Sequence, residues 1–136
     1  VAGLKKLAPL VEEAGLTLVL EPIVGEYFTD SKEAFDVLKE VGSPNVKLLY
    51  DIFHYQTMEG NVVSVMRDNM ELIGHIHAAS VPGRNEITDG ELNYEYILKA
   101  IKETGYDRYF GIEYMPTMDK ETSVTKCKEL MDKALA

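Results

Sequence analysis

The sequence predicts an α/β protein made of consecutive βα units on a parallel sheet, and more specifically a part of a (βα)8 barrel. Three observations carry this expectation. Short apolar runs of strand length alternate strictly with helical patterns, as they do where parallel strands are joined by right-handed crossovers. Each run closes on an acidic or imidazole side chain, and in a barrel the ends of the strands converge on one functional face. No glycine-rich loop follows the first strand, which weakens the alternative of an open doubly wound nucleotide-binding sheet.

The elements follow in order. Leu4, Leu7, Leu10 and Val11 recur at helical spacing, so a helix is expected over 4–14, ended by Gly15. Residues 16–20 form an apolar run closed by Glu21 and Pro22, which reads as a strand buried on both faces. Asp30 or Ser31 caps the next helix, whose inner face is Ala34, Phe35, Leu38 and Val41. After a loop with Pro44, residues 46–53 read as a second strand carrying Asp51, with His54 beyond it. A helix over 61–72 and a third strand over 73–79 follow, with His75 and His77 on one side because strand side chains alternate. Asn93 caps a helix that Gly105 stops. Residues 109–114 form a fourth strand with Glu113, and a final helix spans 119–135.

The 136 residues make one domain, 1–136. Fourteen Lys and Arg against 23 Asp and Glu leave a formal charge of −9, which disfavours binding to nucleic acid or to anionic lipid. Hydrophobic residues at 46% and charged residues at 27% are ordinary for a folded domain. No apolar run approaches the ~20 residues of a membrane span, and no basic-then-apolar leader is visible. The lone Cys127 reads as structural and fits a reducing compartment. The expectation is a cytoplasmic protein with a small-molecule substrate and neither a nucleic-acid nor a membrane partner.

Glu21, Asp51, His77 and Glu113 each stand near the end of a strand, at intervals of roughly 30 residues, the length of one barrel unit. Three carboxylates and one imidazole make a hard, oxygen-rich donor set suited to Mn²⁺ or Mg²⁺, with Co²⁺ and Zn²⁺ as further candidates. Carboxylates so close would repel one another and take up protons without a cation among them. His75, one pleat below His77, reads as a core residue or one that supports the ligands from behind. Tyr50, Tyr55, Tyr94 and Tyr114 read as packing residues.

Several segments resemble those of hydroxypyruvate isomerases, a branch of the xylose-isomerase-like barrel superfamily that also holds ketose 3-epimerases and endonuclease IV. They are Leu20-Glu21-Pro22-Ile23, Tyr50-Asp51-Ile52-Phe53-His54, Met58-Glu59-Gly60-Asn61, Gly74-His75-Ile76-His77-Ala78-Ala79, Val81-Pro82-Gly83-Arg84 with Gly90-Glu91-Leu92-Asn93-Tyr94, and Gly111-Ile112-Glu113-Tyr114. The resemblance implies that Glu21, Asp51, His77 and Glu113 hold a divalent metal. It further implies that Glu21 and Glu113 are the acid–base pair and that His54 and Arg84 bind substrate oxygens. The implied activity is isomerisation of a small α-hydroxy carbonyl compound through an enediolate. Two departures, His77 where the isomerases usually carry Gln and Asn85 where they commonly carry His, lean toward a sugar-like ketose and an epimerase or sugar isomerase. A non-catalytic metal-binding assembly module, or an inactive fragment, is the alternative from another class. Endonuclease-like action would need more His ligands and a basic groove.

Four strands are half of eight. The chain is expected to match the C-terminal half of a barrel, strands 5–8, beginning in the fourth helix. Its first residue, Val1, falls within a helical pattern, which suggests processing or a piece of a longer protein. Two raw sheet edges and a bare inner face would drive association, so the expected state is a homodimer or a chain joined to a missing N-terminal half.

Overall fold

The computed structural model describes residues 1–136. Four strands, β1 (Leu18–Leu20), β2 (Val46–Asp51), β3 (Ile73–Ala78) and β4 (Phe110–Ile112), form one sheet. All three neighbouring pairs are parallel and the spatial order is the chain order, β1-β2-β3-β4. A doubly wound sheet reverses its strand order at a switch point. This sheet has no reversal and is half of a (βα)8 barrel.

Six helices accompany the strands: α1 (Ala2–Glu13), α2 (Ser31–Val41), α3 (Ile52–Met58), α4 (Val62–Asp68), α5 (Tyr94–Glu103) and α6 (Lys120–Leu135). Two start where the sequence places a cap, and Asp119 supplies a third. Asp30 accepts from Glu33 N at 2.9 Å, Asn93 from Tyr96 N at 3.1 Å and Asp119 from Thr122 N at 3.0 Å. Each satisfies an N–H that the first helical turn leaves unpaired.

Alternation along the strands sorts the side chains. Val46, Leu48, Tyr50, Ile76 and Ala78 point to the helices and join Phe35, Leu38, Ile97 and Ile101 in the main core. Tyr50 stacks on Tyr55 with ring centroids 4.2 Å apart, and Tyr94 O–H donates to Ala79 O at 2.8 Å. These tyrosines pack, as expected. The opposite residues, Lys47, Leu49, Asp51, His75, His77 and Gly111, line the inner face of the half barrel.

Two elements differ from expectation in kind, beside shifts of one or two residues at the ends of β1, β3 and β4. The second strand stops at Asp51 rather than at residue 53, and α3 begins at Ile52. Asp51 Oδ1 accepts from Phe53 N at 2.8 Å and from His54 N at 3.4 Å, so the residue that ends the strand also caps the helix. The helix expected over 61–72 is α4 followed by one 3₁₀ turn over Met70–Leu72. On α1 the apolar stripe is only half used. Ala8 is buried, while Leu7 and Leu10 are 45% and 61% exposed, because α1 lies beside the unpartnered edge at β1.

Candidate metal centre

The half barrel brings the four expected ligands together. Glu21 follows β1, Asp51 ends β2, His77 is the penultimate residue of β3 and Glu113 follows β4. One donor atom from each lies within 4.8 Å of all the others. Donors sharing one divalent ion at 2.0–2.3 Å lie roughly 4.6 Å apart at most, so the set is within a few tenths of an ångström of a coordination shell. Asp51 and His77 are direct partners in the β2–β3 register, and His77 pairs with Gly111 across β3–β4.

The site is graded from floor to rim. The Asp51 side chain is 1% exposed, those of His77 and Glu21 are 20% and 28%, and that of Glu113 is 55%. His77 Nδ1 is buried and has no hydrogen-bond partner, although Glu113 Oε2 and Glu21 Oε1 lie 3.7 and 3.8 Å away. A buried nitrogen without a hydrogen bond carries a desolvation penalty that a bound cation would remove. Burial, followed by the Asp51 and Glu113 charges, raises the pKa of Glu21 above the ordinary carboxylate value. The orphaned nitrogen, the crowded carboxylates and the donor spacing all fit a divalent ion.

Arg84 supplies the site's positive charge. Its guanidinium donates to Asp51 Oδ2 at 3.1 Å and to Glu113 Oε2, and it lies over the Phe53 ring, 5.1 Å from the centroid. Its backbone is left-handed, φ 54°, in a tight loop where Arg84 N donates to Ser80 O. His54 is buried. Its Nδ1 accepts from Val24 N at 3.3 Å, which leaves Nε2 as the protonated nitrogen, 3.6 Å from Asp51 Oδ2. Burial lowers the pKa of His54, favouring this neutral form. In this position His54 holds the loop after β1 and faces Asp51. His75 sits below His77 with rings 4.8 Å apart, edge to face.

Two contributors are not legible from the sequence. Gly111 leaves room for both imidazoles, since a Cβ there would sit 3.1 Å from His77 Cδ2 and 3.3 Å from His75 Nε2. Glu86, fully buried in the loop after β3, accepts from Thr117 N at 2.9 Å, Thr117 Oγ1 at 3.0 Å and Ser123 Oγ at 2.7 Å.

A parallel half barrel with three acids and an imidazole gathered at the carboxyl ends of its strands defines a class of α/β barrel in which strand ends build a polar centre. Within that class, the chain belongs to the xylose isomerase-like TIM barrel family, whose sequence profile it matches over residues 1–132. It is 33% identical over 129 residues to a hydroxypyruvate isomerase of Escherichia coli (strain K12), covering 91% of this chain and 50% of that protein. It is 37% identical over 107 residues to a 2-oxo-tetronate isomerase of Cupriavidus necator, covering 75% of this chain and 41% of that one. A crystal structure titled AP endonuclease, family 2, from Brucella melitensis superposes with a TM-score of 0.87 at 29% identity, over 93% of this chain and 51% of the other. The chain thus spans about half the length of the curated relatives it matches. No helix is long and apolar enough to cross a membrane.

Proposed function

We propose that this chain carries the metal-binding and proton-transferring half of an isomerase acting on a small α-hydroxy carbonyl compound, of the hydroxypyruvate isomerase kind. The observation that supports this most directly is the convergence of Glu21, Asp51, His77 and Glu113 within 4.8 Å at the strand ends. These four residues would hold a divalent ion, with Mn²⁺ or Mg²⁺ best matched to the oxygen-rich set. When bound, the ion would polarise the substrate carbonyl and stabilise charge on its oxygens.

The chain's own residues would do the rest. Glu21 and Glu113 come from opposite ends of the sheet, so they can flank a substrate lying over His77. A carboxylate whose pKa is raised is suited to take a C–H proton and to return it as an acid, and Glu21 is such a group. Returning the proton to the neighbouring carbon of the enediolate, while the hydroxyl proton passes to the former carbonyl oxygen, isomerises the substrate. Returning it to the other face of the same carbon epimerises it. Arg84, forked and permanently charged, would grip substrate oxygens at the rim. His54, with Nε2 on the side facing Asp51, would act from the floor of the site.

The unpaired edges of β1 and β4 call for a second half barrel, from a longer chain or from a second copy of this one. The test is metal analysis of the purified protein, then coupled assays of hydroxypyruvate and free ketoses with added Mn²⁺, with light scattering to measure mass. Bound divalent metal and turnover of one of these substrates are the expected results. A stable monomer that takes up no divalent metal would overturn the proposal.

A further inference from the structure

We infer that Glu86 is a positioning residue for this site: a buried carboxylate that locks the loop carrying Arg84 to the loop carrying Glu113. The inference rests on the metal-site reading given above and names what holds two of its rim groups in place.

Both loops are irregular backbone, which has little rigidity of its own. The loop after β3 places Arg84 and Glu86 two residues apart. Arg84 reaches into the mouth, to Asp51 and Glu113, while Glu86 is 0% exposed. Glu86 accepts three hydrogen bonds, all from the segment that follows Glu113: Thr117 N and Ser123 Oγ to Oε1, and Thr117 Oγ1 to Oε2. Since Ser123 Oγ donates to Glu86, the Tyr114 hydroxyl, 2.7 Å away, donates to Ser123. The relay therefore ends on the residue directly after Glu113. Backbone contacts run beside it. Met115 N donates to Arg84 O at 2.7 Å, and Asn85 Nδ2 donates to Met115 O at 2.8 Å.

The energetics favour the ionised form. Burial alone would raise the Glu86 pKa, but the hydrogen bonds from Ser123 and Thr117, with those of the backbone, outweigh it and hold the carboxyl at about 2. Removing the carboxylate would leave the buried Ser123 hydroxyl, and the part-buried Thr117 amide and hydroxyl, without their acceptor, and a buried donor left unpaired is an arrangement that folded structures avoid. The loops would then separate, and the Arg84–Glu113 pair with them. Glutamine keeps the shape. Its oxygen can accept from Thr117 N and Ser123, and its amide can donate to the Thr117 oxygen.

The test compares Glu86→Ala with Glu86→Gln and has two independent readouts. The first needs no metal: amide exchange at Met115 and Thr117, with the Arg84 guanidinium resonances followed by NMR. In Glu86→Ala we expect exchange at these two amides roughly 100-fold faster while amides of β2 are unchanged, and loss of the restrained Arg84 signals. Glu86→Gln should restore both. The second is Mn²⁺ affinity by titration calorimetry, expected to weaken roughly 10-fold in Glu86→Ala and less than 3-fold in Glu86→Gln, the size of effect seen for groups that orient ligands. If wild type takes up no Mn²⁺, the metal-site reading fails, and the first readout still decides the role of Glu86. If Glu86→Ala does not fold, Thr117→Val removes one of the three bonds from the other loop and should speed exchange at Met115 several-fold. Unchanged exchange and unchanged Arg84 signals in the folded variants would overturn the inference. So would equal changes across all amides, which signal a merely structural role.

Discussion

The two faces of the same strands are built to opposite rules. On β2 and β3 the helix-facing residues, Val46, Leu48, Tyr50, Ile76 and Ala78, are aliphatic, aromatic or small and are buried. One residue away, the inner face carries Lys47, Asp51, His75 and His77. Outside, apolar area removed from water holds the domain together. Inside, the strand ends hold charges close together that would otherwise stay apart. Stability and chemistry are thus interleaved residue by residue along six-residue strands, and they should respond separately to mutation.

Glu113→Gln is the sharpest way to break that separation. It removes one member of the proposed acid–base pair and one ligand, so turnover of the barrel-complete enzyme should fall by about 10²–10⁴-fold. The melting temperature should hardly move, because the Glu113 side chain is 55% exposed. Parent-rate turnover would remove Glu113 from the mechanism. Leu48→Ala makes the converse change on the other face. Leu48 is fully buried in the core, so truncation should cost about 2–5 kcal/mol by urea denaturation while leaving the Mn²⁺ affinity of the folded fraction unaltered. A loss below about 1 kcal/mol would mean that the core does not lie where the alternation puts it.

Much of this division is written in the sequence. The alternation of apolar runs and helical patterns gave the parallel sheet, and the acidic or imidazole residue at each strand end gave all four clustered side chains. Both are local signals, readable within ten residues or so. What was not legible depends on distant partners. Continuing the second strand into Ile52 and Phe53 followed their β-favouring side chains, and the hydrogen bonds from Asp51 that turn the chain into α3 won instead. The signal is present in the sequence, an acid at an N-cap position, and the same Asp51 carboxylate both caps α3 and faces the site. Glu86 gave no signal, because its partners Thr117 and Ser123 lie 31 and 37 residues away. Gly111 matters only because two imidazoles from the neighbouring strand lie over it.

Glu86 also extends the contrast to pH. In the unfolded chain its carboxyl titrates near 4.5, while in the fold it is held at about 2. Between these values the unfolded state binds more protons, so stability should fall as pH drops from about 4.5 toward 2 and be fully present above. Glu86→Gln carries no titrating group there, so its acid unfolding curve should be flatter across that window. Parallel curves for the two proteins would show that the carboxylate is not held ionised.

The smallest effect is expected where the inner face is bare. At the end of the sheet opposite the candidate metal centre, Tyr109, Val19 and His75 line an open cavity of about 630 Å³, and Tyr109 is 81% exposed. Truncating a side chain that touches so little costs within ~0.5 kcal/mol, so Tyr109→Ala should leave the stability of the isolated chain unchanged. The same ring stands beside His75 on the inner face, which a completing half barrel would cover. Tyr109→Ala should therefore weaken association, read as a shift toward lower mass at micromolar concentration by light scattering. A substitution that is silent in the half barrel and disruptive in the assembly identifies the inner face as a core awaiting its other side. One that destabilises the isolated chain by 1 kcal/mol or more would mean that the half barrel already uses this face for its own folding.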